Sequence, residues 1–287
     1  MNKKALIFLV FLIFVFSNCE CRVGQIGPAA PFTSFRDIPG VTIEEINAIE
    51  LLLKQAPWHG REYFIYGMMP STEAFYNVDG EVRGFAALFC EWLTELFGIP
   101  FILRQFTFDE LLEGLEDFSI DFSGQLMPSP AYMETFFMTG PIAQHTVKYF
   151  RLTDSVPFSE IRKTRLSRFA LLEDTVTTRN VFYYALDEFE PVFVSEYLTA
   201  YELLKTGAVD AIVGAGNLEA GFAAFTDIVT SEFLPVIFTP VSFAAKNPQL
   251  EPFVSVMQKA LDNGANRHLS ELYRQGYREY LQHKLFA

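Results

Sequence analysis

The sequence predicts an α/β protein with two lobes of related construction, each a mostly parallel sheet flanked by helices. From residue 60 onward, short β-branched and aromatic segments alternate with amphipathic helical segments, which is typical of parallel strands joined by right-handed crossovers. The succession of helix end, turn, aspartate and strand at 115–121 recurs at 204–210, about ninety residues later. With 287 residues, of which 50% are hydrophobic, the chain can bury the cores of two domains.

The first eighteen residues have the features of a signal peptide. Two lysines precede the apolar run Ala5–Phe16, which is shorter than the roughly 20 residues that span a bilayer. The residues Phe16-Ser17-Asn18 before Cys19 resemble a relaxed lipoprotein signal, in which that cysteine is acylated. We therefore expect an extracytoplasmic protein, periplasmic or at the cell surface, whose only membrane attachment is a lipid on Cys19. Ordinary cleavage near Cys21 and an uncleaved short anchor are the alternatives.

Residues 19–59 are interpreted as a tether followed by a short helix. Proline and glycine recur without a pattern over 22–40, which suits a segment that holds the body away from a membrane. Thr42 and Glu45 have the spacing of a capping box, and apolar residues then repeat at helical period.

The first lobe is expected to comprise residues 60–148 and 240–287. Its first half predicts the following elements in order: a strand at Tyr63–Tyr66, a turn at Asn77–Gly80, a helix from Phe85 to a stop at Gly98, a strand at Pro100–Gln105, a helix capped by Thr107 and Glu110, and a strand opening at Ile120. Its last part predicts two helices, Pro252–Leu261 and Arg267–Leu281.

The second lobe is expected to comprise residues 149–239. It contains three predicted strands: Arg168–Leu172, Pro191–Val194 and Val209–Val213. We place one crossover between the lobes at Tyr149–Leu152, and a second near Phe238 in a long strand that begins at Pro235.

Composition and motifs narrow the function classes. A formal net charge of −13 argues against nucleic-acid binding, which needs clustered Lys and Arg. No nucleophile elbow, metal-ligand spacing, phosphate loop or dinucleotide fingerprint occurs, and the four histidines are scattered. We therefore expect neither an enzyme nor a bound cofactor or metal. Cys90 lies on a helical face and is interpreted as a buried, inert thiol.

Taken together, the residues resemble the extracytoplasmic solute-binding proteins of family 3. The matching motifs are Asp79-Gly80-x-x-x-Gly84-Phe85, Leu93 to Pro100, Leu112-x-x-Leu115 with Ile120-Asp121, Ser129-Pro130 with Pro141, Gly207-x-Val209-Asp210-Ala211 and Lys246-Asn247-Pro248-x-Leu250. The resemblance covers roughly residues 60–283. It implies the type II periplasmic binding fold, in which two hinge crossovers join the lobes and a small solute is captured between them by hinge closure.

The residues that would touch a ligand depart from the family pattern. Tyr132 stands where the Thr-x-x-Arg motif supplies an arginine for the ligand carboxylate, and Met127 stands where a threonine hydroxyl is common. Asp174-Thr175 replaces a Gly-Thr turn, and Ala215 occupies the register of the acid that pairs with the ligand ammonium. The clamp for an ordinary α-amino acid is therefore missing.

Eight residues are the candidates for ligand contact: Phe75, Tyr76, Gly124, Gln125, Met127, Tyr132, Thr175 and Ala215. Phe75 and Tyr76 have a core role as the alternative interpretation, and Gly124 a turn.

Two functions are left open by the sequence. One is a monomeric binding protein that delivers a small solute to an ABC-transporter permease. The other is a sensory input or a ligand-free interaction module, with a sensor kinase or cyclic-di-GMP enzyme as partner. The segments 35–42 and 89–93 look like the sensor halves of such enzymes, so the chain is either a free-standing relative or a fragment.

Overall fold

The computed structural model of the protein describes residues 31–55, 60–222 and 225–286. The predicted signal peptide, Cys19, Cys21 and the first part of the tether lie outside the described residues. Within the described ranges, no helix combines the length and the hydropathy that a membrane crossing requires.

The chain forms alternating helices and strands. The helices are α1 (Ile43–Lys54), α2 (Phe85–Phe97), α3 (Phe108–Glu116), α4 (Pro130–Thr135), α5 (Phe158–Ile161), α6 (Val176–Tyr184), α7 (Tyr197–Lys205), α8 (Glu251–Ala260) and α9 (Asn266–Phe286). The strands are β1 (Phe64–Met68), β2 (Phe75–Tyr76), β3 (Val82–Arg83), β4 (Phe101–Gln105), β5 (Phe122–Leu126), β6 (Phe137–Leu152), β7 (Ser167–Leu172), β8 (Phe189–Val194), β9 (Ala211–Ala215), β10 (Ile228–Glu232) and β11 (Phe238–Ala245). Short 3₁₀ segments lie at Phe35–Asp37, Gly216–Phe222 and Pro248–Leu250.

The main sheet consists of two parallel groups of strands joined by antiparallel ones. Its order is β4-β1-β5-β11-β6-β9-β7-β8, with β10 also paired to β6. Strands β4, β1 and β5 run parallel in the first lobe, and β9, β7 and β8 run parallel in the second. The predicted α/β class with mostly parallel sheets flanked by helices is confirmed.

Strand β6 carries the chain from one lobe to the other. Its residues 137–146 pair with β11, whereas residues 147–152 pair with β9 and β10. The partner therefore changes between Thr146 and Val147. The residues of the predicted crossover, Tyr149–Leu152, follow this change and pair with β9 and β10. Phe238 pairs with Thr146, so β11 returns to the first lobe at the same level.

The helix signals read from the sequence match the structure closely. Both capping boxes form, with Thr42 accepting from Glu45 N and Thr107 from Glu110 N. Helix α2 ends at Gly98 in the left-handed conformation, at φ +70°. Cys90 in α2 is buried, and that burial raises the pKa of its thiol well above the ordinary value, as an inert core position requires.

One aspartate in each lobe joins neighbouring strands in the same way. In the first lobe, the Asp121 carboxylate accepts from Ile65 N at 2.6 Å while Asp121 N donates to the Ile65 carbonyl. In the second, the Asp210 carboxylate accepts from Arg168 N at 2.8 Å while Asp210 N donates to the Arg168 carbonyl. The recurrence seen in the sequence is therefore a structural repeat, with each aspartate fixing the start of a parallel strand.

Candidate ligand-binding cleft

The cleft lies where parallel strands of both lobes reach their carboxyl ends. Met69 directly follows β1 and Met127 directly follows β5, while Leu172 ends β7 and Ala215 ends β9. All four line one cavity of about 60 Å³ between the lobes, called here the inner cavity. This is the edge at which open α/β sheets generally bind their ligands.

Five of the eight candidate residues meet at the inner cavity. Its lining is Met69, Phe108, Gln125, Leu126, Met127, Tyr132, Leu172, Thr175, Val176, Thr177, Tyr197, Ala215 and Leu218. The first lobe therefore contributes Gln125, Met127 and Tyr132 to it, and the second contributes Thr175 and Ala215. A volume of this size is that of about two water molecules, at roughly 30 Å³ each in the liquid.

Two capped helix starts face each other across the inner cavity. In the first lobe, Ser129 caps α4 and accepts from Tyr132 N at 3.3 Å. In the second, Thr175 caps α6, accepting from Thr178 N at 3.1 Å. The Thr175 hydroxyl also donates to the Leu172 carbonyl at 3.3 Å, so one accepted and one donated hydrogen bond fix its position.

Gln125 and Tyr132 supply neutral polar groups. The Oε1 atom of Gln125 is buried and has no hydrogen-bond partner among the described residues. Burial raises the pKa of the Tyr132 hydroxyl above its usual value of 10.0, with Arg179 opposing and Asp174 adding to the shift. Tyr132 is therefore an uncharged hydroxyl at neutral pH, in the register where an arginine was expected.

The lobes touch at both ends of the cleft. At one end, Asn180 Nδ2 lies 3.6 Å from Met127 Sδ. At the other, Thr72 N donates to the Asn217 carbonyl at 2.7 Å. Met69 of the first lobe also packs into the apolar core of the second. Met127 and Met69, which make two of these contacts, both line the inner cavity.

A larger cavity, the outer cavity, adjoins the inner one and shares five lining residues with it. Its volume is about 410 Å³. It is lined by Met69, Pro70, Gln105, Phe106, Thr107, Phe108, Glu110, Leu172, Ser195, Glu196, Tyr197, Leu198, Leu218, Gly221, Phe222 and Phe225. Five of these lining residues are aromatic: Phe106, Phe108, Tyr197, Phe222 and Phe225.

The candidates Phe75, Tyr76 and Gly124 line neither the inner nor the outer cavity. Phe75 is buried beneath α9, with its ring 5.5 Å from Tyr280 and 5.2 Å from His283. Tyr76 is 53% exposed on the two-stranded hairpin of β2 and β3. A Cβ at Gly124 would lie 1.9 Å from the Tyr66 hydroxyl, so this glycine makes room for a buried tyrosine.

Several cleft residues were not found from the sequence. They are Met69, Phe108, Leu172, Tyr197 and Leu218, which line both cavities. Met69 and Leu172 had a usable signal, because each lies at the carboxyl end of a predicted parallel strand. Tyr197 and Leu218 had none, because their places depend on how α7 and the 3₁₀ segment after β9 pack.

No group of three or more His, Cys, Asp or Glu side chains suited to hold a metal ion occurs within the described ranges.

The architecture is the two-lobe type II periplasmic binding fold. The amino acid ABC transporter substrate-binding protein AbpA from Streptococcus pneumoniae, bound to L-arginine, has a TM-score of 0.58 at 14% identity, over 76% of this chain and 96% of AbpA. The periplasmic VFT2 domain of BvgS from Bordetella pertussis has a TM-score of 0.64 at 14% identity, over 80% and 97%. The ancestral amino acid-binding protein AncCDT-1, a precursor of cyclohexadienyl dehydratase, has a TM-score of 0.59 at 16% identity, over 81% and 98%.

At these identities, the similarity concerns the fold. No protein-family model matches the chain, and no curated protein sequence matches it significantly.

Proposed function

We propose that the protein is an extracytoplasmic solute-binding protein that captures a small solute between its lobes by hinge closure. The observation that carries the proposal is the meeting of Gln125 and Tyr132 from one lobe with Thr175 and Ala215 from the other around one cavity. A site divided between two lobes favours the closed state when solute is bound, because a solute gains both sets of contacts only when the lobes come together.

The hinge of this proposal is the crossing formed by β6 and β11. We assign residues 60–148 and 240–287 to one lobe and residues 149–239 to the other. The change of strand partner between Thr146 and Val147, with Phe238 beside Thr146, supports a rotation about this level. Small backbone changes at a few strand residues suffice for closure of this kind.

The solute is not an ordinary α-amino acid. Tyr132 and Ala215 line the inner cavity in the registers where the family pattern has an arginine and an acid. Each missing charge-assisted hydrogen bond is worth about 1.5–3 kcal/mol, so a zwitterionic amino acid loses most of its affinity.

Delivery to a transporter and sensory input are both served by solute capture. AbpA is a transporter substrate-binding protein, whereas the BvgS domain belongs to a sensor and has the higher TM-score of the two. We favour delivery to an ABC-transporter permease, with the sensory role as the second candidate. A permease gene beside this one supports the first, and a gene for a histidine kinase or cyclic-di-GMP enzyme supports the second.

Attachment through a lipid on Cys19 fits a binding protein that works as a monomer near a membrane partner. The test is the electrophoretic mobility of the expressed full chain with and without globomycin. A globomycin-sensitive mobility shift that disappears in Cys19→Ser supports lipidation. Identical mobility of wild type and Cys19→Ser, with and without globomycin, excludes it.

Solute capture is tested by a thermal-shift screen of the purified protein against amino acids, polyamines, sugars, nucleosides and aromatic amines. A solute present at 100 times its Kd adds about 2.7 kcal/mol to the free energy of unfolding, which raises Tm by roughly 5 °C or more. Micromolar binding of ordinary α-amino acids would overturn the site argument, and silence across the library would overturn solute capture. Turnover of prephenate or arogenate would instead support an enzyme.

A further inference from the structure

The space in the cleft is divided unequally between the small inner cavity, which contains polar groups, and the large outer cavity, whose lining is mostly apolar. The inner cavity holds about 60 Å³ beside Gln125, Tyr132 and Thr175, whereas the outer cavity holds about 410 Å³. A rigid apolar cavity of about 150 Å³ accepts benzene, so the outer cavity is large enough for a body of more than one ring. The inner cavity takes only a small head group.

Aromatic side chains from both lobes form the walls of the outer cavity. Phe106 and Phe108 come from the first lobe, and Tyr197, Phe222 and Phe225 from the second. Phe222 is buried and the other four are partly buried, so their inner faces meet the cavity from fixed positions. Such walls recognise flat apolar groups through ring contacts and the removal of apolar surface from water.

Gln125 determines which hydrogen-bonding group the head of the solute must present. Its side-chain oxygen is a buried acceptor with no partner among the described residues, and it belongs to the inner cavity. A buried acceptor without a hydrogen bond is costly, so a solute that donates an N–H or O–H to this atom recovers that cost. The head group is therefore a donor.

Among the described residues, the linings of the two cavities offer an anion no basic partner. None of the described residues that line the two cavities is Lys, Arg or His, whereas Glu110 and Glu196 line the outer one. Arg179 lies near enough to Tyr132 to lower its pKa, but its side chain lines neither cavity. A carboxylate on the solute would thus be desolvated without a basic partner in the lining.

We propose that the cleft takes an amphipathic aromatic amine without a carboxylate, with its amine in the inner cavity toward Gln125 and its rings between Phe108 and Phe225. This inference rests on the proposed function and specifies its solute class. The outer cavity receives the apolar body, and the hydrogen bond from the amine to Gln125 fixes its orientation.

Three indole compounds isolate the features of this proposal: tryptamine, tryptophan and indole. Tryptophan adds only a carboxylate to tryptamine, and indole lacks the aminoethyl arm. We expect calorimetric titration of the full chain to give tryptamine at least about tenfold tighter binding than either, since one charge-assisted contact is worth about that factor. Arginine, the solute in the AbpA structure, is the polar reference and should bind weakest.

Substitutions connect the binding to the cleft. Gln125→Leu should bring the affinity for tryptamine down to that for indole, and Phe108→Ala should weaken both. Tyr76→Ala, which removes an exposed ring outside both cavities, is the matched control and should leave both affinities unchanged. Melting curves by circular dichroism establish that each variant folds.

Tryptophan or arginine binding as tightly as tryptamine would overturn the solute class, as would the absence of tryptamine binding at millimolar concentration. A different solute that binds wild type but not Phe108→Ala would leave solute capture standing while excluding this class. The two proposals therefore fail through different results.

Discussion

The Nε2 atom of His145 lies 3.5 Å from Oε1 of Glu73, and both side chains are buried at the level where the chain crosses between the lobes. Glu73 belongs to the segment after β1, and His145 lies on β6 one residue before Thr146. Asn217 Nδ2, from the 3₁₀ segment after β9, lies 3.4 Å from the other carboxylate oxygen of Glu73. The Tyr273 hydroxyl on α9 lies 3.5 Å from Nδ1 of His145. One buried carboxyl thus contacts both lobes and the crossing strand.

Glu73→Gln should change how stability depends on pH. Burial raises the pKa of the Glu73 carboxyl above its ordinary value of 4.5, although His145, Asn217 and Tyr273 oppose the shift. A raised pKa means that the folded state favours the protonated form, so the contribution of Glu73 is complete below pH 4.5 and falls as the pH rises through the raised pKa. Denaturant unfolding at several pH values should therefore show wild type losing stability relative to Glu73→Gln as the pH rises.

Exposed Glu62→Gln is the control for this experiment and should show no such trend. A stability difference between wild type and Glu73→Gln that is constant with pH, or that grows in favour of wild type at high pH, would contradict the burial argument.

Asp210→Asn should have the opposite pH dependence. Burial by itself raises the pKa of this carboxyl. Hydrogen bonds from the Arg165 guanidinium and the Arg168 amide, together with the positive charges of both arginine side chains, outweigh burial and hold the pKa below its ordinary value of 3.8. We expect a loss of about 1–3 kcal/mol at neutral pH, which shrinks as the pH falls through that lowered pKa. Exposed Asp154→Asn should stay near wild type. An equal loss at pH 7 and pH 3 would exclude a role for the ionised carboxylate.

Gly276→Ala should destabilise the first lobe even though alanine favours helices. A Cβ at Gly276 would lie 2.2 Å from Phe85 N and 2.6 Å from the Gly84 carbonyl carbon, so α9 would have to move away from the start of α2. Backbone atoms cannot yield as a side chain can, and we expect a cost of about 1–3 kcal/mol. Arg278→Ala on the exposed face of α9 should change stability by less than about 0.5 kcal/mol. Equal melting temperatures for the two variants would refute this packing.

Tyr132 and Tyr76 form a matched pair for testing the cleft. Tyr132 lines the inner cavity, whereas Tyr76 lies outside both cavities. For a solute that stabilises wild type in the screen, Tyr132→Ala should raise Kd by about tenfold or more, because an aromatic anchor in an enclosed site dominates binding. Tyr76→Ala should change Kd by less than about twofold. Similar effects of the two substitutions on Kd would move the site away from the inner cavity.

Local signals predicted most of the fold. The capping boxes at Thr42 and Thr107 and the helix stop at Gly98 each depend on residues close in sequence, so the sequence pattern was sufficient to predict them. Strand β10 and the 16-residue length of β6 were not predicted, because both depend on pairing across the crossover.

Candidate site residues were predicted where motif spacing fixed their register in the sequence. They were not predicted where their position depends on packing between segments distant in sequence. Tyr132 and Thr175 were placed by the registers of the family motifs, and both line the inner cavity. No pattern in the sequence around Phe75 indicates that α9, about two hundred residues later in the chain, covers its ring. The burial of His145 against Glu73 has the same origin, since no sequence pattern joins them.

Solute-driven closure is tested most directly by the distance between the lobes. Spin labels at Met133 on α4 and Tyr183 on α6 occupy exposed positions on opposite lobes, and Cys19→Ser and Cys21→Ser remove the tail thiols. Labels at Val78 and Ile102, both exposed in the first lobe, provide the control pair.

Pulsed electron spin resonance should give a broad interlobe distance distribution without solute, and a shorter, narrower one with a saturating solute from the thermal-shift screen. The control distance should not change. An interlobe distribution that is the same with and without bound solute would contradict capture by closure.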